Sequence, residues 1–146
     1  MPQNGVFVDT WGWLALGCKA EPSHGEVADL FREMRHERRP LYTSDYILDE
    51  LITLLFRRER TDTAEKFLTG VWNASDLGHL TIERITSGRF SAALELRRRY
   101  ADKPDISFTD LTTMALMQEL RCQQVVTADS HFLKVNMGFG LLPNRR

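Results

Sequence analysis

An α/β fold with a largely parallel central sheet of about four to five strands flanked by helices is predicted by three features of the sequence. Short β-type runs, Val6-Phe7-Val8, Leu41-Tyr42-Thr43 and Val125-Val126-Thr127, are separated by long stretches with apolar residues at helical spacing. Strands joined through helices in this way return in the same direction by crossovers. The 146 residues are 42% hydrophobic and 27% charged, an ordinary globular balance, and are expected to form a single domain over residues 1–146.

Each element has a local reason. Residues 6–9 read as a buried strand, and residues 11–16 begin a helical turn. Glu21-Pro22-Ser23 interrupts the pattern, after which Ser23 and Glu26 have capping-box spacing for a helix carrying Val27, Leu30, Phe31 and Met34. Pro40 ends that region. Leu41-Tyr42-Thr43 is the second strand, and Ser44 is placed to cap a helix over residues 45–58. A helix over residues 63–72 puts Ala64, Phe67, Leu68 and Val71 on one face. Residues 80–85 alternate as a third strand suited to a sheet edge. Residues 87–100 are helical with Phe90, Ala93, Leu94 and Leu96 inward. After the loop Asp102-Lys103-Pro104-Asp105, Ser107 caps a helix that runs to about residue 121. Val125-Val126-Thr127 is the fourth strand, and residues 139–142 supply a fifth.

Bulk properties exclude several classes. The longest apolar runs, such as Leu54-Leu55-Phe56, are too short to span a bilayer. Met1 to Gly5 has no basic region leading into an apolar one, so no secretory signal is expected. Cys18 and Cys122 lack CxxC neighbours and are expected to be reduced core thiols of a cytoplasmic protein. A net charge of −1 gives no global basic field. Arginine is nevertheless clustered, at Arg35/Arg38/Arg39, Arg57/Arg58/Arg60, Arg97/Arg98/Arg99 and Arg145/Arg146. These clusters read either as solvated helix faces or as phosphate contacts.

Four acidic residues are hard to place structurally. Asp9 and Asp129 follow β-type runs, Glu50 interrupts an apolar helical stretch on the face of Ile47, Leu51 and Leu54, and Asp110 opens an amphipathic helix. In an open α/β sheet these positions meet at one rim, where such sheets bind ligands. Converging carboxylates resist ionising together unless a cation joins them, which points to a divalent metal and to phosphodiester chemistry. Bland readings stand beside this one. Asp9 could cap the first helix, Asp110 fits a capping box with Ser107, and Asp129 could cap the segment after it. Asp105 is either a fifth member or a solvated loop acid. Thr10, Thr109 and Thr127 could support metal waters, although strand and cap propensity also explain them. His131 reads as a surface or packing histidine more readily than as a proton-transfer group, because no second histidine or cysteine is near it in sequence. Trp11 and Trp13 read as core or groove-edge residues.

Taken in order, these segments resemble a PIN domain, and more narrowly the VapC-type toxins of type II toxin–antitoxin systems. The carrying stretches are Val6-Phe7-Val8-Asp9-Thr10, Thr43-Ser44-Asp45-Tyr46-Ile47-Leu48-Asp49-Glu50, Ile106-Ser107-Phe108-Thr109-Asp110 and Val125-Val126-Thr127-Ala128-Asp129-Ser130-His131-Phe132. The resemblance spans almost the whole chain and is specific as an ordered set. It implies a Mg²⁺ or Mn²⁺ site and cleavage of structured or single-stranded RNA. Asp9, Glu50, Asp110 and Asp129 carry over as the catalytic and metal-binding quartet, with Asp105 as a fifth candidate. Asp9 and Asp129 are expected as direct ligands, with Glu50 and Asp110 acting through water or orienting the nucleophile. Trp11 departs from the small polar residue that many members place after the Asp-Thr pair. Members are usually dimers restrained by a cognate antitoxin, so the expectation is a cytoplasmic, homodimeric, Mg²⁺-dependent endoribonuclease with no membrane partner.

Three competing readings remain at this level. One is a binding module that keeps the fold without turnover, and another is an RNA-processing nuclease outside a toxin–antitoxin pair. The third, a phosphatase of the haloacid-dehalogenase type, is disfavoured because position 11 is Trp rather than a second Asp.

Overall fold

The computed structural model describes residues 4–144; the Arg145/Arg146 cluster and the first three residues of the chain lie outside the described residues. Five strands, β1 (Val6–Val8), β2 (Leu41–Ser44), β3 (Leu80–Glu83), β4 (Gln124–Val126) and β5 (Gly140–Leu142), form one sheet in the order β3-β2-β1-β4-β5. Every pairing is parallel, with Phe7 opposite both Tyr42 and Val125. Seven helices connect and cover the strands: α1 (Thr10–Gly17), α2 (His24–His36), α3 (Asp45–Arg58), α4 (Thr61–Asp76), α5 (Ser87–Arg99), α6 (Phe108–Leu120) and α7 (His131–Lys134).

The central strand β1 is buried at all three residues, as a parallel sheet covered on both faces requires. Ile47, Leu51 and Leu55 of α3 and Leu111, Met114, Leu116 and Met117 of α6 are completely buried against the sheet. A buried hydrogen-bond chain ties α1 to this core: the Trp13 indole donates to Thr43 Oγ1 at 3.0 Å, and Thr43 donates to the carbonyl of Val8 at 3.0 Å. Both cysteines are buried and unpaired. Among the described residues no helix is long and apolar enough to cross a membrane.

Several local expectations are corrected. Ser23 stands at the N-cap of α2 but makes no side-chain cap bond, whereas Ser44 and Ser107 accept from the backbone N–H of Ile47 and Asp110. The helix expected over residues 63–72 is extended at both ends, with Thr61 and Asp76 as its limits. Phe90 is 42% exposed rather than inward, because Ala93 and Leu96 take the buried positions of α5. Its ring lies 4.9 Å from that of Phe108, covering the outer edge of the α5–α6 seam.

Gly12 fixes how closely α1 approaches the sheet. A Cβ there would stand 2.8 Å from Val126 Cγ1, 3.0 Å from the Val126 carbonyl and 3.1 Å from Val8 Cγ1. Gly12→Ala gains helix propensity but must push α1 off β1 and β4, so it is expected to lower stability by about 1–3 kcal/mol in urea unfolding. A stabilised variant would show that the helix can shift freely.

Candidate active site

The strand order places the site. The chain steps outward from β1 to β2 and β3, then returns to the other side of β1 to make β4 and β5. A crevice therefore opens beyond the carboxyl ends of β1 and β4, the position where open parallel sheets hold ligands. The Asp9 N–H donates to the Val126 carbonyl at 3.2 Å, which brings the residues after the two strands side by side.

Asp9, Glu50, Asp105, Asp110, Asp129 and His131 all line one open pocket of about 530 Å³ at this crevice. Asp9 occupies the N-cap position of α1 yet makes no side-chain cap bond, so capping does not account for it. Its Oδ2 instead accepts from Thr127 Oγ1 at 2.8 Å, and the same Thr127 oxygen accepts from the Asp129 N–H at 3.0 Å. Asp129 Oδ1 accepts from the His131 N–H at 2.9 Å. Asp110 sits in the first turn of α6, where Ser107 caps its N–H and leaves its carboxyl turned to the pocket. Glu50 Oε1 accepts from Thr10 Oγ1 at 2.8 Å.

The acids are not equivalent. Asp110, Asp129 and His131 each offer a ligand atom within 4.8 Å of the others. Asp9 is linked to this group through the Thr127 hydroxyl, Glu50 is held by Thr10 next to Asp9, and Asp105 is an exposed member of the pocket wall. Glu50 is exposed, not buried: Ile47, Leu51 and Leu55 fill the buried stripe of α3, and Glu50 stands at its border above the crevice.

Electrostatics follow from burial and like charge. Asp9 is only 6% exposed, and burial raises its carboxyl to about 6 despite the Thr127 hydrogen bond that favours the anion. Asp110 is pushed up to about 8, first by burial and then by repulsion from Asp9 and Asp129. Carboxyls crowded until they resist ionising near neutral pH are the surroundings in which a cation is favoured. Nδ1 of His131 is shielded from solvent and lies 3.1 Å from Asp129 Oδ1 and 3.7 Å from Asp110 Oδ2, hydrogen-bonded to neither. The donor set, hard carboxylate oxygens with an orphaned imidazole nitrogen, fits a divalent cation.

His131 is the member that sequence reasoning undervalued. Its partners are carboxylates rather than histidines or cysteines, and Asp110, distant in sequence, comes beside it only in the fold. The spacing Asp129-x-His131 was the one signal available in the chain. The arginine clusters divide by role. Arg97 donates to the carbonyls of Ile106, Tyr100 and Lys103 at 2.5, 2.8 and 2.7 Å, and so pins the loop that leads into α6. Arg39 bonds Asn4 and Gln124 at the opposite end of the sheet. Arg58 lines the pocket and pairs with Glu21 at 2.8 Å.

Fold and pocket together define a PIN-type nuclease scaffold, and the PIN domain profile matches residues 6–137. The chain belongs to the PIN domain family. It is 30% identical over 129 residues to the 23S rRNA-specific endonuclease VapC20 of Mycobacterium tuberculosis, a match covering 87% of this chain and 91% of the relative. The crystal structure of Mycobacterium tuberculosis VapC20, a sarcin-ricin loop cleaving toxin, superposes with a TM-score of 0.73 at 28% identity, covering 92% of this chain and 96% of that one. VapBC2 from Rickettsia felis, solved bound to a DNA fragment from its promoter, shares the fold with a TM-score of 0.69 at 17% identity, over 97% of this chain and 99% of that one.

Proposed function

We propose that this protein is a divalent-metal-dependent endoribonuclease of the VapC kind, acting on structured RNA as the toxin of a toxin–antitoxin pair. The observation that carries the reading is the meeting of Asp110 and Asp129, with Asp9 and Glu50 held beside them, at the switch point of a PIN-family sheet. Asp110 and Asp129 would hold the cation, for which Mg²⁺ is the expected occupant and Mn²⁺ an alternative. Asp9 adds charge through the Thr127 hydroxyl and keeps that hydroxyl turned toward Asp129. Glu50, exposed and oriented by Thr10, is placed to position an attacking water, and Asp105 faces the incoming strand from the loop. A bound divalent cation would polarise the scissile phosphate and acidify the attacking water. Arg58 at the pocket wall supplies a fork for a neighbouring phosphate, at the expense of its pairing with Glu21.

The partners that accompany this reading are RNA, a cognate antitoxin and a second copy of the chain, in the cytoplasm. An acidic pocket suits a basic antitoxin side chain. Exposed Ile52 and Phe56 on α3 and Trp72 on α4 offer apolar surface to a protein partner.

The test is to incubate metal-stripped protein with ribosomal RNA and with isolated hairpins from it, then add Mg²⁺ or Mn²⁺. Discrete cuts that appear with metal and vanish with EDTA are expected. RNA bound but left intact under all metals would replace the enzyme with a binding module.

A further inference from the structure

We infer that His131 is a direct ligand of the cation through Nδ1, making the site a mixed nitrogen–oxygen one that favours Mn²⁺ over Mg²⁺ more than carboxylates alone would. The inference rests on the metal-dependent reading above and deepens it.

Three observations carry it. The Nδ1 atom is buried, faces two carboxylates and has no hydrogen-bond partner. An imidazole nitrogen stranded in that way is costly unless something accepts its lone pair or its proton. Its separations from the carboxylate oxygens, 3.1 and 3.7 Å, resemble those of neighbouring ligands on one ion. Adjacent donors around an octahedral cation with bonds of ~2.1 Å stand about 3 Å apart. The ring is also held in place independently of any metal. The backbone N–H of His131 is bound to Asp129 Oδ1, and the next residue, Phe132, is completely buried in the core. His131 therefore meets the cation with little ordering left to do.

Selectivity follows from donor chemistry. Mg²⁺ demands oxygen and gives up its waters reluctantly, whereas imidazole suits first-row transition ions. Replacing a water or carboxylate oxygen by Nδ1 thus leaves Mg²⁺ affinity little improved and raises that of Mn²⁺.

Electron spin-echo spectroscopy of Mn²⁺ bound to the full-length protein reads nitrogen coordination directly, without reference to turnover. The chain has four histidines, so ¹⁵N-histidine labelling establishes that the nitrogen is imidazole, and His131→Asn assigns it. The expected result is ¹⁴N modulation in the unlabelled protein, its change on labelling, and its loss in the variant. Calorimetric titration of that variant is expected to show the Mn²⁺-to-Mg²⁺ affinity ratio falling by roughly tenfold. Should His131→Asn not fold, His131→Gln makes the assignment, with His24, His36 and His79 left in place. Saturable Mn²⁺ binding with no nitrogen modulation overturns the His131 assignment and leaves the metal site standing, with the imidazole merely paired to the acids. Wild-type protein that binds no Mn²⁺ beyond what Asp110→Asn binds overturns the metal-dependent reading together with this one.

Discussion

Asp9→Asn is expected to lower the proposed metal-dependent RNA cleavage by about 100-fold or more while the protein stays folded. The side chain is nearly isosteric, and Asn can still accept the Thr127 hydroxyl through its amide oxygen. What disappears is a buried negative charge, in a position 6% exposed, that the fold holds at a cost. Because Asp9 is one of the charges that raise Asp110, its neutralisation relieves the neighbour as well. Metal-stripped Asp9→Asn is therefore expected to melt no lower than wild type above neutral pH, although its activity is gone. Circular dichroism and a gel-based cleavage assay on one preparation check both halves. Cleavage that survives the substitution would expose a contaminating nuclease; a collapsed fold would make Asp9 a structural residue instead.

The second large effect is on stability against pH in the metal-free protein. Asp9 moves from an ordinary 3.8 to about 6 on folding, and Asp110 from 3.8 to about 8. Both carboxyls bind protons more tightly in the folded state. Below about pH 4 both states are protonated and the native contribution is complete. Above that the unfolded chain releases its protons first, and stability falls until the folded groups ionise too, through about 6 and then about 8. Asp9 alone corresponds to about 3 kcal/mol over its window. Asp110 widens the window toward pH 8, and since the two repel each other their contributions overlap. A divalent cation reverses the trend, since it needs both groups deprotonated and binds only the folded site. Urea midpoints in EDTA are expected to drop between about pH 5 and about pH 8, and to recover with Mn²⁺ or Mg²⁺. A midpoint rising over that range in EDTA would mean that the acids are already partnered by cationic side chains.

Much of this was legible in the sequence, for identifiable reasons. The β-type runs that became β1 and β4 are short and largely apolar, so their burial was plain, whereas in β2 it is the polar Thr43 and Ser44 that are buried and Leu41 and Tyr42 only half-buried. Asp9 and Asp129 were visible because strand ends in a parallel sheet share one rim. Asp110 shows how two readings can both hold: Ser107 caps the helix through the Asp110 N–H, and the carboxyl remains free to face the pocket. Glu50 reached the expected rim by a different route, since it borders the buried stripe of α3 instead of lying inside it. His131 was hidden because its neighbours come from a distant helix, which linear spacing does not reveal. Arg97 was hidden for a related reason. A run of three arginines looks solvated, and the backbone carbonyls that one of them binds leave no mark in sequence.

The strand order also has a consequence for how the protein is made. The pocket opens between β1 and β4, whose residues Asp9 and Thr127 are 118 positions apart, so Asp9 meets Thr127, Asp129 and His131 only after that whole stretch has been made. A nascent chain that stops short of β4 carries Asp9, Glu50, Asp105 and Asp110 without the strand that helps to gather them. A growing polypeptide of this kind has no assembled acidic pocket until β4 and the residues after it have been made.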